Sequence, residues 1–470
     1  MGFTEGYTDI IKLWFGPKLL VGIYNPNDIE LVLGSNVHLT KSQEYTFFEP
    51  WFGNGLLISK GETWQAHRKM IAPTFHLNVL KRFMKQFNVR GRGLVTKMKK
   101  EIGNEFDCHD YMSECTVETL VETVMGVKEC FQGNAYYNYA EEVMEMCGII
   151  HSRHSKLWLR SDLLFKLFPE WKKHNKLLAS IHRFTNKVFY KKKEAVVTKK
   201  PSTVTTSVEE ENAKEIDAGE KYSFGHSSGI KDDIDDNEIG AKKRSPFLES
   251  LIERSLNDDG ITEQEVINQV NTIMFEGHDT TAAGSSFFLC AMAVLPEIQA
   301  RCHEEIDAIF GDSDRDVTFE DTLQMKYTER CIMEALRMFP PVPLIARQLE
   351  QELKLILGNY TVPAGCTVGI ATIKLHRRPD IYKNPDEFNP DNFLPENSAS
   401  RHYYGFIPFS AGPRSCVGRK YAMLKLKVIL AHILRKYRIA GGKPMDQWEL
   451  QADIILKRGD GFKIRLVPRS

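Results

Sequence analysis

Apolar residues recur at helical spacing over most of the chain, and only short stretches depart from it. Arg419-Lys-Tyr-Ala-Met-Leu-Lys-Leu-Lys-Val-Ile-Leu-Ala-His-Ile-Leu434 is an amphipathic helix pattern. Residues 110–200 read as successive helices with mixed apolar and charged faces, and they carry no chemical motif. Ser245-Pro-Phe-Leu-Glu-Ser-Leu-Ile-Glu253 is a helix with proline near its start. Thr262-Glu-Gln-Glu265 then forms an N-cap and capping box that launches a long helix through Ile273 to Gly284. Strand-like pieces are few: 18–24, followed by a short helix from Pro26, and a small sheet suggested by 353–358 and 360–363. The proline cluster in Phe339-Pro-Pro-Val-Pro-Leu-Ile-Ala-Arg347 forces extended chain. The pattern is mainly helical with a minor sheet.

One stretch differs in kind. Residues 199–245 run from Lys200-Pro-Ser-Thr-Val-Thr-Thr-Ser207 through Lys231-Asp-Asp-Ile-Asp-Asp-Asn-Glu238 to Ala241-Lys-Lys-Arg244. They hold few large apolar groups, so burial cannot offset the entropy of ordering them. A mobile acidic insertion on the surface is expected there, within one large domain spanning 1–470.

Composition narrows the functional classes. The 62 basic and 62 acidic residues cancel, which gives bulk electrostatics no reason to draw in nucleic acid. Nine cysteines without a Cys-x-x-Cys pair read as reduced thiols in a cytosol-facing protein. No apolar run is long enough to span a bilayer.

The candidate chemistry lies in Phe409-Ser-Ala-Gly-Pro-Arg-Ser-Cys-Val-Gly418. Cys416 is presented on a glycine-rich loop at a helix N-terminus, where free N–H groups and the helix dipole lower a thiol pKa. Gly412 and Gly418 allow a flat ligand close to the backbone, and Arg414 offers a fixed charge to a carboxylate. Upstream, Trp64 and Arg68 are four apart on one helix face. Glu276, Asp279 and Thr280 are spaced to share one helix face, with Gly277 permitting a local distortion. A hydroxyl and a carboxylate so placed can relay protons.

The Cys416 stretch resembles the haem-thiolate signature of the cytochrome P-450 superfamily. The resemblance implies the mostly helical fold of that family, haem b as cofactor and Cys416 as the iron ligand, whose thiolate favours O–O cleavage. It further implies that Trp64, Arg68, Arg347 and Arg414 surround the haem propionates, with His376 on the same side. Val342 and Leu344 would lie over the haem, and Gly277 would leave room over the metal. Asp279 and Thr280 fall in the superfamily's oxygen-activation helix. Glu276 resembles the family-4 residue that can form an ester with a haem methyl. Glu334-Ala-Leu-Arg337 matches the structural Glu-x-x-Arg pair. Asn392 stands where many members place an arginine that joins this pair, which puts the usual three-member network in question.

The insertion, with Tyr222-Ser-Phe-Gly-His-Ser-Ser-Gly229, resembles that of the insect 4G branch. That branch resembles oxidative decarbonylases turning long-chain fatty aldehydes into cuticular hydrocarbons. The wider family-4 activity, fatty-acid ω-hydroxylation, comes second, and a haem-binding sensor or carrier without turnover is the reading from another class. Electrons are expected from NADPH through cytochrome P-450 reductase, on the cytosolic face of the endoplasmic reticulum membrane. Microsomal members carry a membrane helix, a proline-rich hinge and a first helix before the strand that here begins near Pro17, so a shortened or incomplete N-terminus is expected.

Overall fold

The helices that position the site are α1 (Gly61–Ile71), α2 (Met84–Met98), α3 (Cys108–Thr123), α4 (Ala135–Ser155), α5 (Pro169–Thr198), α6 (Glu263–Glu276), α7 (Asp279–Val294), α8 (Lys326–Met338) and α9 (Arg419–Lys436). They come from a computed structural model, which describes residues 9–16, 18–128, 130–198 and 245–469. The insertion expected at 199–245 lies outside the described residues apart from Ser245. Helix α7 is buried on every side, from Thr281 to Met292. A helix with no polar face belongs in the core, and α7 packs there against α3 and α8. The Thr262 capping box at the start of α6 forms as the spacing predicts, with Glu265 reaching back to the Thr262 N–H.

The main sheet has four strands. β1 (Ile10–Phe15) and β2 (Lys18–Ile23) form a hairpin with Phe15 opposite Lys18. Gly16 supplies the positive φ of +59° at its turn. β2 runs parallel to β4 (Thr367–Ile370), which pairs antiparallel with β3 (Ile345–Gln348). Burial alternates along β3, so Ile345 and Arg347 face inward. β1 was not legible as a strand in the sequence. The small sheet expected near 353–363 is present as Leu353–Lys354 against Thr361–Val362.

A buried ion pair joins α8 to the following meander. Arg337 and Glu334 are both fully buried and bond in a fork, each at 2.8 Å. The remaining Arg337 donors go to the carbonyls of His376 (2.8 Å), Pro385 (2.7 Å) and Glu387 (3.0 Å), so all five guanidinium N–H groups are used. Glu334 also accepts the Asn389 N–H at 2.8 Å and the Asn392 side-chain amide at 3.1 Å. Asn392 therefore keeps a hydrogen bond in the network without supplying a charge. A charge does arrive from further along the chain. Arg401 donates to the Asn392 carbonyl and lies 4.6 Å from the Tyr382 ring, on which Arg337 also rests.

His376 passes this network on to the Cys416 loop. Its Nε2 accepts the Ile407 N–H at 2.9 Å, and its ring lies 5.2 Å from that of Phe406. Burial, and then Arg337, push its pKa down to about 3, so it stays a neutral acceptor. His376→Phe keeps a ring but removes the acceptor, and should cost about 1–3 kcal/mol of stability in denaturant titration. Wild-type protein should lose stability as pH falls from ~6.5 toward 3, because the unfolded imidazole takes a proton that the folded one refuses. The variant should show a shallower acid slope.

Candidate functional site

The Cys416 loop is shaped by left-handed backbone at Ser410 (φ +59°) and Gly412 (φ +70°). A Cβ on Gly412 would sit 1.9 Å from the Leu33 carbonyl oxygen, so no larger residue fits there. Three returns close the loop: Ser410 N–H to Ile407 O at 3.0 Å, Ser415 N–H to Gly412 O at 2.8 Å, and Cys416 N–H to Phe409 O at 2.9 Å. Gly418 caps α9 and its N–H donates to the Cys416 sulfur. Cys416 is exposed between buried Ser415 and Val417, whereas the other eight cysteines, all free, are buried or half-buried. The lowered thiol pKa expected from the helix N-terminus is not what results. Although its surface is open, the sulfur lies deep within the fold, and that desolvation pushes its pKa up to about 11; Glu276 adds to this, and the Gly418 N–H, Arg68 and Arg419 only oppose it. A coordinated metal cation would remove the proton outright.

Beside the sulfur lie four buried cations, three of which, Lys41, Arg68 and Arg414, act on one carboxyl group. Arg68 on α1 donates to Ser415 O at 2.8 Å and Ser415 Oγ at 3.3 Å. Arg414 donates to the carbonyls of Leu56 (3.3 Å) and Ser59 (2.5 Å) and lies 4.2 Å from the Trp64 ring. Arg347 projects from the inner face of β3, and its strand touches Lys41 in an isolated bridge. Burial first, then Arg347 and Arg68, lower the Arg414 pKa to about 9. Burial and the same neighbours hold Lys41 well below its ordinary value. Among the described residues, Arg347 Nη2 and Arg414 Nε are buried without a hydrogen-bond partner. Glu276 is the acid among them, raised to about 7 by burial against the pull of Lys41, Arg68 and Arg414. Lys41 was not singled out in the sequence. It belongs to no motif, and only the fold brings it to Arg347.

The oxygen-side helix is broken. α6 ends at Glu276, α7 begins at Asp279, and side chains take the freed carbonyls: His278 Nδ1 donates to Met274 O at 2.7 Å and Thr280 Oγ1 to Glu276 O at 3.0 Å. This break undoes the shared face expected for Glu276 and Asp279. Glu276 acts on Cys416 and the cations, while Asp279 acts on His109, His278, Tyr139 and Cys147. Both Asp279 oxygens are buried and, among the described residues, make no hydrogen bond. Gly277 does not open space over a metal either. A Cβ there would strike Leu120 of α3 at 2.8 Å, so the glycine serves close helix packing. Leu344 is exposed and Val342 half-buried. The structure does not bring His376 to the cations, because its ring faces Ile407 and Phe406.

A helical fold with a small sheet, and a lone exposed thiol on a glycine loop beside buried arginines, define a haem-thiolate monooxygenase. The cytochrome P450 family model matches residues 2–463, and the chain belongs to that family. It is 52% identical to cytochrome P450 4g15 of Drosophila melanogaster, covering 99% of this chain and 86% of that protein. Identity to cytochrome P450 4g1 of the same fly is 49%, covering 100% and 84%. Human cytochrome P450 4V2 is 36% identical, with 100% and 84% covered. These relatives place the chain in family 4, on the insect 4G branch. Among solved structures, the cytochrome P450DA haem domain superposes with a TM-score of 0.75 at 20% identity, over 98% of this chain and 90% of that one, which speaks for the fold.

The family's cofactor is haem, and the residues present fit it. Two propionates would meet the unpartnered Arg347 and Arg414 nitrogens and relieve a set of like charges that Glu276 alone cannot neutralise. Replacing Lys41 with Met should therefore raise the rate of haem transfer to an apo-globin acceptor by about tenfold, the loss of one charge-assisted contact.

Proposed function

We propose that this monooxygenase is an oxidative decarbonylase of long-chain fatty aldehydes. The observation carrying the proposal is the step in identity, from 49–52% with two 4g proteins to 36% with other family-4 members. The resemblance of the sequence to the 4G branch supplies the reaction. An aldehyde RCHO, dioxygen, two electrons and two protons give RH, carbon dioxide and water. The electrons come from NADPH through the reductase partner, which docks on the Cys416 side.

Bound haem supplies the dioxygen-activating centre. Cys416 would ligate the iron, and the Gly418 N–H would disperse the charge of its sulfur. Trp64, Arg68, Arg347 and Arg414 would hold the propionates, with Lys41 beside them. Thr280 holds a proton at Oγ1 next to the broken helix, and the two buried oxygens of neighbouring Asp279, without a hydrogen bond among the described residues, are open to accept one. Glu276 reaches the same space as Cys416 and is the residue for an ester to the haem. A second reading, ω-hydroxylation of fatty acids, is favoured by that same Glu276, because a tethered haem narrows the approach to a chain terminus. A haem carrier without turnover would leave Asp279 and Thr280 without a purpose.

Membrane association is supported by surface apolar groups. Leu163 and Leu167 are 77% and 79% exposed, and Trp158 and Leu164 are exposed beside them. Exposed Trp14 on the β1–β2 hairpin belongs to the same side, because Glu44 bonds both Lys18 of β2 (2.8 Å) and Arg160 (2.6 Å). Among the described residues, no single helix is long and apolar enough to cross a membrane. The patch suits shallow insertion at the endoplasmic reticulum surface.

With reductase, NADPH and a long-chain aldehyde, gas chromatography–mass spectrometry should find a hydrocarbon one carbon shorter. An ω-hydroxylated product instead would move the protein to the second reading. Cys416→Ser should abolish the thiolate-type spectrum of the reduced carbon monoxide complex. Denaturing extraction after turnover should leave haem on the wild-type chain and release it from Glu276→Ala; full release from both would refute the ester.

A further inference from the structure

Helix α9 carries two buried lysines on one stretch, and they are treated differently. Lys427 is neutralised by Glu329 and also donates to Thr322 O at 2.7 Å. Lys425 is fully buried, yet among the described residues no carboxylate lies within ion-pair range of it. Its Nζ donates to the Gly277 carbonyl at 2.9 Å and lies 5.0 Å from the Tyr421 ring. A buried ammonium without a counter-ion is costly, so its single strong acceptor is informative. That acceptor is a carbonyl at the break between α6 and α7.

The other carbonyls freed at this break are taken locally, Met274 O by His278 and Glu276 O by Thr280. Among the described residues, Gly277 O alone is taken from another element, and that element is the helix that starts three residues after Cys416. We propose that Lys425 is a positioning residue that latches the Gly277 carbonyl out of the helix ladder, holding open the break that sets Thr280 and tying it to the helix behind Cys416. The inference rests on the monooxygenase reading for its catalytic consequence, but the latch itself is a property of the chain.

The latch is also sensitive to pH. Burial lowers the Lys425 pKa to about 7, against a small upward pull from Cys115 of α3. The ionisable groups facing it are Cys115, His278 at the break and Tyr421 on its own helix. The ammonium form, dominant below that value, is the better donor to a carbonyl; the neutral amine above it holds the break less firmly.

The test compares holoenzyme of the wild type, Lys425→Met and Lys425→Gln by hydrogen exchange at residues 276–281 and by product formed per NADPH. In Lys425→Met the released Gly277 carbonyl should rejoin the helix ladder and raise the protection of the Thr281 amide about tenfold, with peroxide replacing product and the thiolate-type carbon monoxide spectrum retained. Wild-type protection, corrected for intrinsic exchange, should rise between pH 6 and 8. Lys425→Gln, which keeps a donor, should remain near the wild-type level and lose that pH dependence. Unchanged protection and coupling in Lys425→Met would overturn the proposal. If that variant does not take up haem, a glutamine variant with the wild-type pH dependence would overturn it equally. Absence of a thiolate-type spectrum in the wild type would instead refute the monooxygenase reading, and the exchange measurement would still judge the latch.

Discussion

A fully buried guanidinium is tolerable only if every donor is met, and Arg337 meets that demand with one carboxylate and three carbonyls. The partners lie on α8 and the long irregular meander, so satisfying one side chain fixes the course of chain that has little regular structure of its own. From there the order passes through His376 to Ile407, from the Ile407 carbonyl to Ser410, and through Phe409 to the Cys416 N–H. The sulfur is thus held by hydrogen bonds that begin at an ion pair on another helix. Asn392 and Arg401 preserve this arrangement without the usual third charge, one giving the hydrogen bond and the other reaching it through a carbonyl.

The two sides of the site are built on opposite electrostatic principles. Around the propionate positions, Lys41, Arg68, Arg347 and Arg414 crowd like charges against burial, and Glu276 relieves only part of the repulsion. Along the broken helix the groups are mostly neutral acceptors and donors, stitched by side chains rather than by the backbone ladder. The first arrangement selects an anionic, planar ligand and orients it. The second leaves carbonyls and hydroxyls where protons must move. Both are reached from the same short loop, because Arg414 and Ser415 face the cations while α9 runs on to Gly277.

Much of this was legible in the sequence because the chemistry is packed into short spacings. The Cys416 loop, the Trp64–Arg68 helix and the Glu334–Arg337 pair each fall within ten residues, so periodicity and glycine placement reveal them. Lys41 was not visible, since its role depends on a bridge to Arg347 across 306 positions. Asp279 was assigned to the wrong face because helical spacing assumes an unbroken helix, and the break at Gly277 and His278 turns it away from Glu276. The family resemblance placed His376 on the propionate side, whereas its backbone and ring are used by the ion-pair network. Three-dimensional context decided each of these cases.

The crowding of cations has a consequence for the cell as well as for catalysis. A ligand that neutralises repulsion inside a fold stabilises that fold by mass action, in proportion to how tightly and how abundantly it is supplied. Buried charges that lack a matching protein anion therefore make cofactor supply a determinant of how much of the chain survives quality control, since a difference of one or two kcal/mol changes abundance several-fold. Tissues that synthesise haem poorly would accumulate less of this protein, not simply a less active form of it. Abundance, in such a design, is a readout of porphyrin metabolism.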